Sequence, residues 1–404
     1  MRTKTLISIL TLLFIACSQR NSEKDYLETV LNNLRKIQSA AYIEEKVAWS
    51  PYETNPRYTV RYYVKEFDNP TDTTIGASFV QLFANDTNRM DFAYNGDVRV
   101  LVWDDSKILG IDSFNVDRGL PFRLVGPPFY NYIKSIIRYT LTTTDSITLE
   151  QHENDTTLHL KLTIHEDRQV EFFGKDYKIP DPPMFGDDPT SRYEMWIDKR
   201  TNLPYKYHRE MAHGANSHTV SNAVFNTMKI ENFRITDYFP ADYERIDYKE
   251  RMEQRKKRQP NELEGFAAPD FSLISAQNNQ VTLKNIQSKV ILLQFTGIGC
   301  GPCLQSIPFM EKISEEYPLH HLSVLSIEAW KGKMETLKNY QIKHQFTYPF
   351  LQGNDTIIEA YNAVGVPKFF LLDKNHVIRR VFSGYAENKT DAEIRKVIDE
   401  LLNE

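Results

Sequence analysis

Two cysteines separated by two residues, Cys300 and Cys303, stand directly after an apolar run, Val290-Ile-Leu-Leu-Gln-Phe295. The run is short, carries one polar residue, and suits a strand buried on both faces. The stretch after the second cysteine, from Leu304 to Tyr317, has helical spacing. The chain therefore places a thiol pair at a strand-to-helix turn, and that turn constrains the fold around it. A thiol there faces the unpaired N–H groups and positive end of a helix, which favour thiolate. Cys300 is expected to carry a lowered pKa and attack; Cys303, one turn further, is expected to resolve the mixed disulfide.

The third cysteine is Cys17, so the only pair beyond the first residues would close a tiny loop. By the loop-entropy argument such a bridge stabilises little, and its use is chemical. Half of a zinc site is the competing reading, but zinc needs four ligands and no second Cys or His pair with ligand spacing completes one. His320-His321 reads as a turn or surface pair. No metal or cofactor is expected. The formal net charge of −5 gives no reason to expect a nucleic-acid partner.

Residues 260–404 resemble the thioredoxin-like family, in the periplasmic TlpA/ResA-like branch of redoxin-type thiol–disulfide oxidoreductases. The resemblance rests on Glu264-Gly-Phe-Ala-Ala-Pro-Asp-Phe271 as the opening strand and on Cys300-Gly-Pro-Cys303. It continues through Pro308 inside the helix, the strand Ser323–Ile327, Gly365-Val-Pro367 before the strand 368–372, and the closing helix 391–402. It implies an α/β thioredoxin fold with a longer insert between Trp330 and Ala363. It also implies catalytic roles for Cys300, Cys303 and Pro367, the last as a cis-proline beside which a substrate strand pairs with the Val366 backbone. Three positions depart from the pattern. Gly299 replaces the Trp that precedes the first Cys, removing an aromatic lid. Gln294 stands where cytosolic thioredoxins carry a buried Asp. Glu328, one position off the branch's acidic residue, is the nearest candidate base.

The preceding segment is expected to form a second domain. Its length within the 404 residues and its share of the 22 Tyr and 23 Phe suit a folded, β-rich body. Residues 25–40 show helical spacing; from Ala41 to about Tyr238 the pattern is that of strands, with a helical insert from Pro128 through Ile137. Leu158–Ile164 and Tyr193–Asp198 alternate cleanly, Asn95-Gly-Asp97 marks a hairpin, and the proline-rich stretch 179–189 reads as a loop. Trp196-Ile-Asp-Lys-Arg-Thr-Asn-Leu-Pro204 is similar to a hairpin of the half-barrel domains related to outer-membrane lipoprotein carriers, which implies an antiparallel half-barrel with a helix. The expected division is 1–17 signal peptide, 18–242 β-rich domain, 243–259 charged linker and 260–404 thioredoxin-like domain.

The first residues, MRTKTLISILTLLFIAC, combine Arg2 and Lys4 with an apolar core too short to span a bilayer. Ending in Ala16-Cys17, they resemble a bacterial lipobox, which implies a lipidated Cys17 and, with Ser18 next, an outer-membrane anchor facing the periplasm of the cell envelope. The partners implied are protein disulfides, a membrane electron donor and the membrane itself. The competing functions are a lipid- or peptide-binding lipoprotein with an accessory redox domain and a peroxiredoxin-like peroxidase; for the latter, Thr296 lies four residues before Cys300 and does not fit a T-x-x-C pattern.

Overall fold

The computed structural model describes residues 24–51, 53–115, 122–179, 188–257, 263–363 and 365–404. The proposed lipobox and most of the 179–189 loop lie outside these residues. Among them no helix is long and apolar enough to cross a membrane.

The N-terminal part is one twelve-stranded sheet. Helix α1 spans 24–35. It stops short of Ala40: Ile37 continues the apolar spacing but belongs to the approach to β1 (Ser39–Trp49), where the Asn226 side chain accepts the Gln38 and Ser39 N–H groups. Strands β2 (Tyr58–Asp68), β3 (Ala77–Phe83), β4 (Asp86–Tyr94), β5 (Arg99–Trp103) and β6 (Ile108–Asp112) continue from β1 as an antiparallel meander. Helix α2 (Phe129–Thr142) comes next, somewhat longer than its sequence pattern suggests. The other half holds β7 (Ile147–Glu153) and β8 (Thr157–Ile164), while β9 (Val170–Phe172) and β10 (Asp176–Lys178) form a separate small pair. Strands β11 (Ser191–Asp198), β12 (Leu203–Met211) and β13 (Gly214–Phe225) complete that half, and β13 pairs with β1 to join it to the meander.

Alternation decides which face is buried. In β8 and β11 every second side chain is buried, as a period of two demands of a sheet covered on one face. Leu158, Leu160, Leu162, Tyr193, Met195 and Ile197 thereby join Leu27, Val30, Leu31 and Leu34 of α1 and Ile133, Ile136 and Ile137 of α2 in one core. Residues 243–259, expected as a linker, fold instead as far as 257: β14 (Glu244–Asp247) pairs parallel to β6, and α3 (Tyr248–Lys257) comes after it. The Arg251 guanidinium lies 4.3 Å from the Trp103 ring centroid. Such packing by a cation on an aromatic leaves no apolar periodicity in the sequence.

Helix α2 begins at Pro128, which supplies no side-chain cap. Its orphaned donors are met from the sheet: Glu66 accepts the N–H groups of Tyr130 (3.2 Å) and Asn131 (2.8 Å), and the Tyr42 hydroxyl donates to Glu66 at 2.8 Å. The carboxyl is buried.

The C-terminal part has its own cores and a five-stranded sheet in the order β19-β18-β17-β20-β21. Before it, the expected opening strand 264–271 makes only an isolated bridge, Ala267 to Val377, and the ladder starts later, with β15 (Ser272–Ile274) pairing β16 (Gln280–Thr282). Strand β17 (Val290–Thr296) is central, buried at all seven positions, parallel to β18 (Leu322–Glu328) and antiparallel to β20 (Lys368–Asp373). Between β17 and β18 runs α4 (Gly301–Glu316). The insert after Trp330 supplies α5 (Met334–His344), the edge strand β19 (Phe350–Gln352) and α6 (Asp355–Ala360). Strand β21 (Ile378–Ser383) and α7 (Lys389–Leu402) close the chain.

Candidate active site

The turn 297–300 carries the chain from the buried end of β17 to α4. Cys300 is the N-cap residue of α4, with extended backbone, and its sulfur accepts the Cys303 N–H at 3.3 Å. A sulfur at this position replaces the oxygen of an ordinary cap and meets the positive end of the helix. Cys300 and Cys303 are joined as a disulfide with Cα atoms 5.2 Å apart; both are buried, Cys303 more completely, at 1% exposure against 7%. The Val366–Pro367 peptide is cis, and the Val366 carbonyl oxygen lies 3.9 Å from the Cys300 sulfur. The three residues singled out in the sequence thus converge, Pro367 through its neighbour.

Gln294 sits beneath the pair in a closed, neutral network. Its amide donates to Ser306 Oγ, it accepts from Ser326 Oγ, and Ser306 donates to the Cys303 carbonyl, each at 2.7 Å. All its members are buried, so no group in it exchanges a proton at neutral pH. Glu328 is the acidic group nearby. It ends β18 only 1% exposed and accepts the N–H groups of Trp330 (3.1 Å) and Gly332 (2.6 Å). Burial raises its pKa, while the backbone N–H groups of Gly332, Trp330 and Ile298 and the Arg57 charge pull the other way.

Two features were missed in the sequence. Trp330 lies against Gly297, where an added Cβ would come within 2.6 Å of the indole, so an aromatic does border the redox turn, from after β18 rather than from position 299. The second is that the β-rich part reaches the same turn. Gly299 has φ +85°, and a Cβ there would lie 3.2 Å from the His213 carbonyl oxygen and 3.4 Å from Pro51 Cδ. Thr336 donates to Glu53 at 2.8 Å, and the Arg57 guanidinium lies 5.6 Å from the Trp330 ring centroid. One such hydrogen bond is worth about 1 kcal/mol net and one such cation–π contact about 0.5–1 kcal/mol. The glycine pair Gly297-Ile-Gly299 was the available signal: two residues without side chains flank a position where other groups approach closely.

Residues 263–398 match the family model described as Redoxin. The thioredoxin-like protein YneN of Bacillus subtilis (strain 168) is 30% identical over 128 residues, a stretch covering 31% of this chain and 75% of that protein. The chain belongs to the TlpA/ResA-like thioredoxin family. The thiol-disulfide oxidoreductase ResA of Geobacillus kaustophilus (strain HTA426) is 26% identical over 121 residues, 30% of this chain and 69% of that one. Among solved structures, the thioredoxin domain of a thiol-disulfide oxidoreductase from Bacteroides vulgatus covers 33% of this chain and 97% of its own, at 18% identity and a TM-score of 0.29. As a TlpA/ResA-like protein the chain is a thiol–disulfide oxidoreductase, and its thioredoxin-like fold is the C-terminal part. Each of these likenesses covers about a third of the chain, and the Redoxin match, 263–398, begins after the last strand of the twelve-stranded sheet.

Proposed function

We propose that the protein reduces disulfides of exported proteins from a lipid anchor in the cell envelope, with Cys300 as nucleophile and Cys303 as resolving thiol. The observation that carries the reading is the Cys300 sulfur at the α4 N-cap, beside the Val366 carbonyl that precedes the cis-proline. In the reduced protein the Cys300 thiolate attacks one sulfur of a substrate disulfide. That S–S bond breaks, the mixed disulfide forms, and the first substrate sulfur leaves as a thiolate and takes up a proton. Cys303, losing its proton, then attacks the Cys300 sulfur, closing the protein disulfide and releasing the second substrate sulfur. Two electrons pass to the substrate, and an external dithiol must return them to the cysteine pair. Backbone groups at Val366 are placed to pair with an extended substrate segment during the attack. Dithiothreitol-driven insulin reduction, run beside a peroxide-consumption assay, tests the reading: insulin turnover with no peroxidase activity is expected, and the reverse pattern would replace it with a peroxidase.

Glu328 is assigned as the group that accepts the Cys303 proton. Its buried carboxyl has a raised pKa, which moves its basicity toward neutral pH. Glu328→Gln should slow decay of the mixed disulfide by roughly tenfold at neutral pH. This is less than a freely placed base supplies, because backbone donors already engage its oxygens. The variant should also flatten the pH dependence of that step; an unchanged rate and profile would remove Glu328 from the proton path.

The anchor reading rests on Arg2, Lys4, the short apolar core and Ala16-Cys17. Lipidation at Cys17 contributes about 0.8 kcal/mol per buried methylene. Cys17→Ser is expected to shift the protein from the membrane to the soluble fraction; wild-type protein found unlipidated would contradict the anchor. The half-barrel likeness of the β-rich part draws support from the sheet with α1 and α2 packed together in its main core.

A further inference from the structure

The cysteine pair does not lie on an open face. Pro51 of the β1–β2 connection and His213 of the β12–β13 turn reach the residue immediately before Cys300, contributed by chain more than 80 residues away in sequence. We propose that this rim is the specificity-determining wall of the redox site: docked, it bars bulky, folded disulfides from Cys300 and admits small thiol reagents and narrow extended segments. The proposal rests on the assignment of Cys300 as nucleophile and goes beyond it by naming what controls access.

Three observations carry it. First, the contact is made on backbone. Gly299 tolerates the approach of the His213 carbonyl and the buried Pro51 ring because it has no side chain, and its φ of +85° also suits glycine. Where the sequence suggested only a lost aromatic lid, other atoms of the same chain occupy the space. Second, the rim is tied to the C-terminal part through side chains next to the site: Glu53 to Thr336 on α5, and Arg57 to Trp330, which itself packs on Gly297. Third, the contact is loosely filled. A cleft of about 130 Å³ remains between Glu53, Arg57, Ile298, Glu328, Trp330 and Thr336. Contact through connecting segments, with a cleft left open, is the kind of inter-domain interface that separates reversibly. Cys300, next in the chain to Gly299, is 7% exposed.

The test compares two alkylating reagents on the reduced full-length protein, with Cys300 labelling read by peptide mass spectrometry. Iodoacetamide reports thiolate reactivity; a maleimide on a long polyethylene glycol chain reports access for a bulky reagent. Their rate ratio cancels changes in thiol pKa, including any that Arg57 exerts through Glu328. The double variant Glu53→Ala/Arg57→Ala should raise the ratio of bulky to small labelling by roughly 10- to 30-fold, the factor corresponding to one lost net hydrogen bond and one lost cation–π contact. Thr336→Val, on the opposite surface, should move it the same way, and Glu53→Gln, which keeps an acceptor, should leave it near wild type. Thermal melts establish that each variant is folded. A ratio that stays at the wild-type value in both disrupting variants while iodoacetamide labels briskly overturns the wall and leaves the nucleophile standing. A Cys300 that neither reagent labels in any folded variant overturns both.

Discussion

Cys300→Ala is expected to reduce dithiothreitol-driven insulin reduction to the uncatalysed rate, a loss of roughly 10³-fold or more, as removal of a nucleophile commonly produces. The expectation comes from position. Cys300 holds the N-cap of α4 and is the more accessible of the pair, whereas Cys303 lies inside the first turn and is almost fully covered. Cys303→Ala should also abolish multiple turnover but leave the first chemical step intact. The pH dependence of iodoacetamide labelling on reduced protein should place the Cys300 thiol below the ordinary value of about 8.5. A Cys300→Ala protein that still turns over insulin would require a different nucleophile.

The second large effect lies far from the cysteines. Burial pushes the Glu66 carboxyl up to about 7, against the hydrogen bonds from Tyr42, Asn131 and Tyr130 that favour its charged form. Because the folded pKa exceeds the unfolded value of 4.5, the folded state holds the proton more tightly between these two values. Stability contributed by this group is therefore full below the lower value and falls as pH rises through the window. Above it the cost levels off on the order of 3 kcal/mol. Glu66→Gln cannot titrate. Its single carbonyl oxygen serves the donors from Tyr42, Tyr130 and Asn131 less well, a penalty of about 1–3 kcal/mol that is independent of pH. Urea denaturation should thus show the wild type ahead at about pH 5, and the difference moving toward the Gln variant by about 2–3 kcal/mol by about pH 8. Parallel stability curves would show that Glu66 does not titrate in this range.

Local chemistry explains what was readable. The cysteine pair and the apolar β17 each announce themselves within a few residues, because a strand buried on both faces and a helix start are locally encoded, whereas the cis-proline before β20 was readable through the family resemblance of Gly365-Val-Pro367. The alternation in β8 and β11 and the helical spacing in α2 were readable for the same reason. What escaped depends on distant partners. Residues 244–257 look like solvated charge because their contacts include an edge pairing with β6 and cations stacked on aromatic rings, such as Arg251 on Trp103 and Arg245 on Phe239, none of which imposes a period. Gly299 read as the loss of an aromatic because nothing near it in sequence reveals Pro51 or His213. Glu328 could be placed at the end of its strand, but its burial, which gives the carboxyl its shifted pKa, depends on the fold around it.

The most direct test of the central claim is trapping of the mixed disulfide. Reduced Cys303→Ala and Cys300→Ala proteins would each be mixed with a disulfide-containing peptide and monitored by intact mass and peptide mapping. The proposed chemistry predicts a long-lived adduct of one protein and one peptide thiol on Cys300 in the Cys303→Ala protein, and little or none in Cys300→Ala. An adduct that forms faster on Cys303 in the Cys300→Ala protein would contradict it.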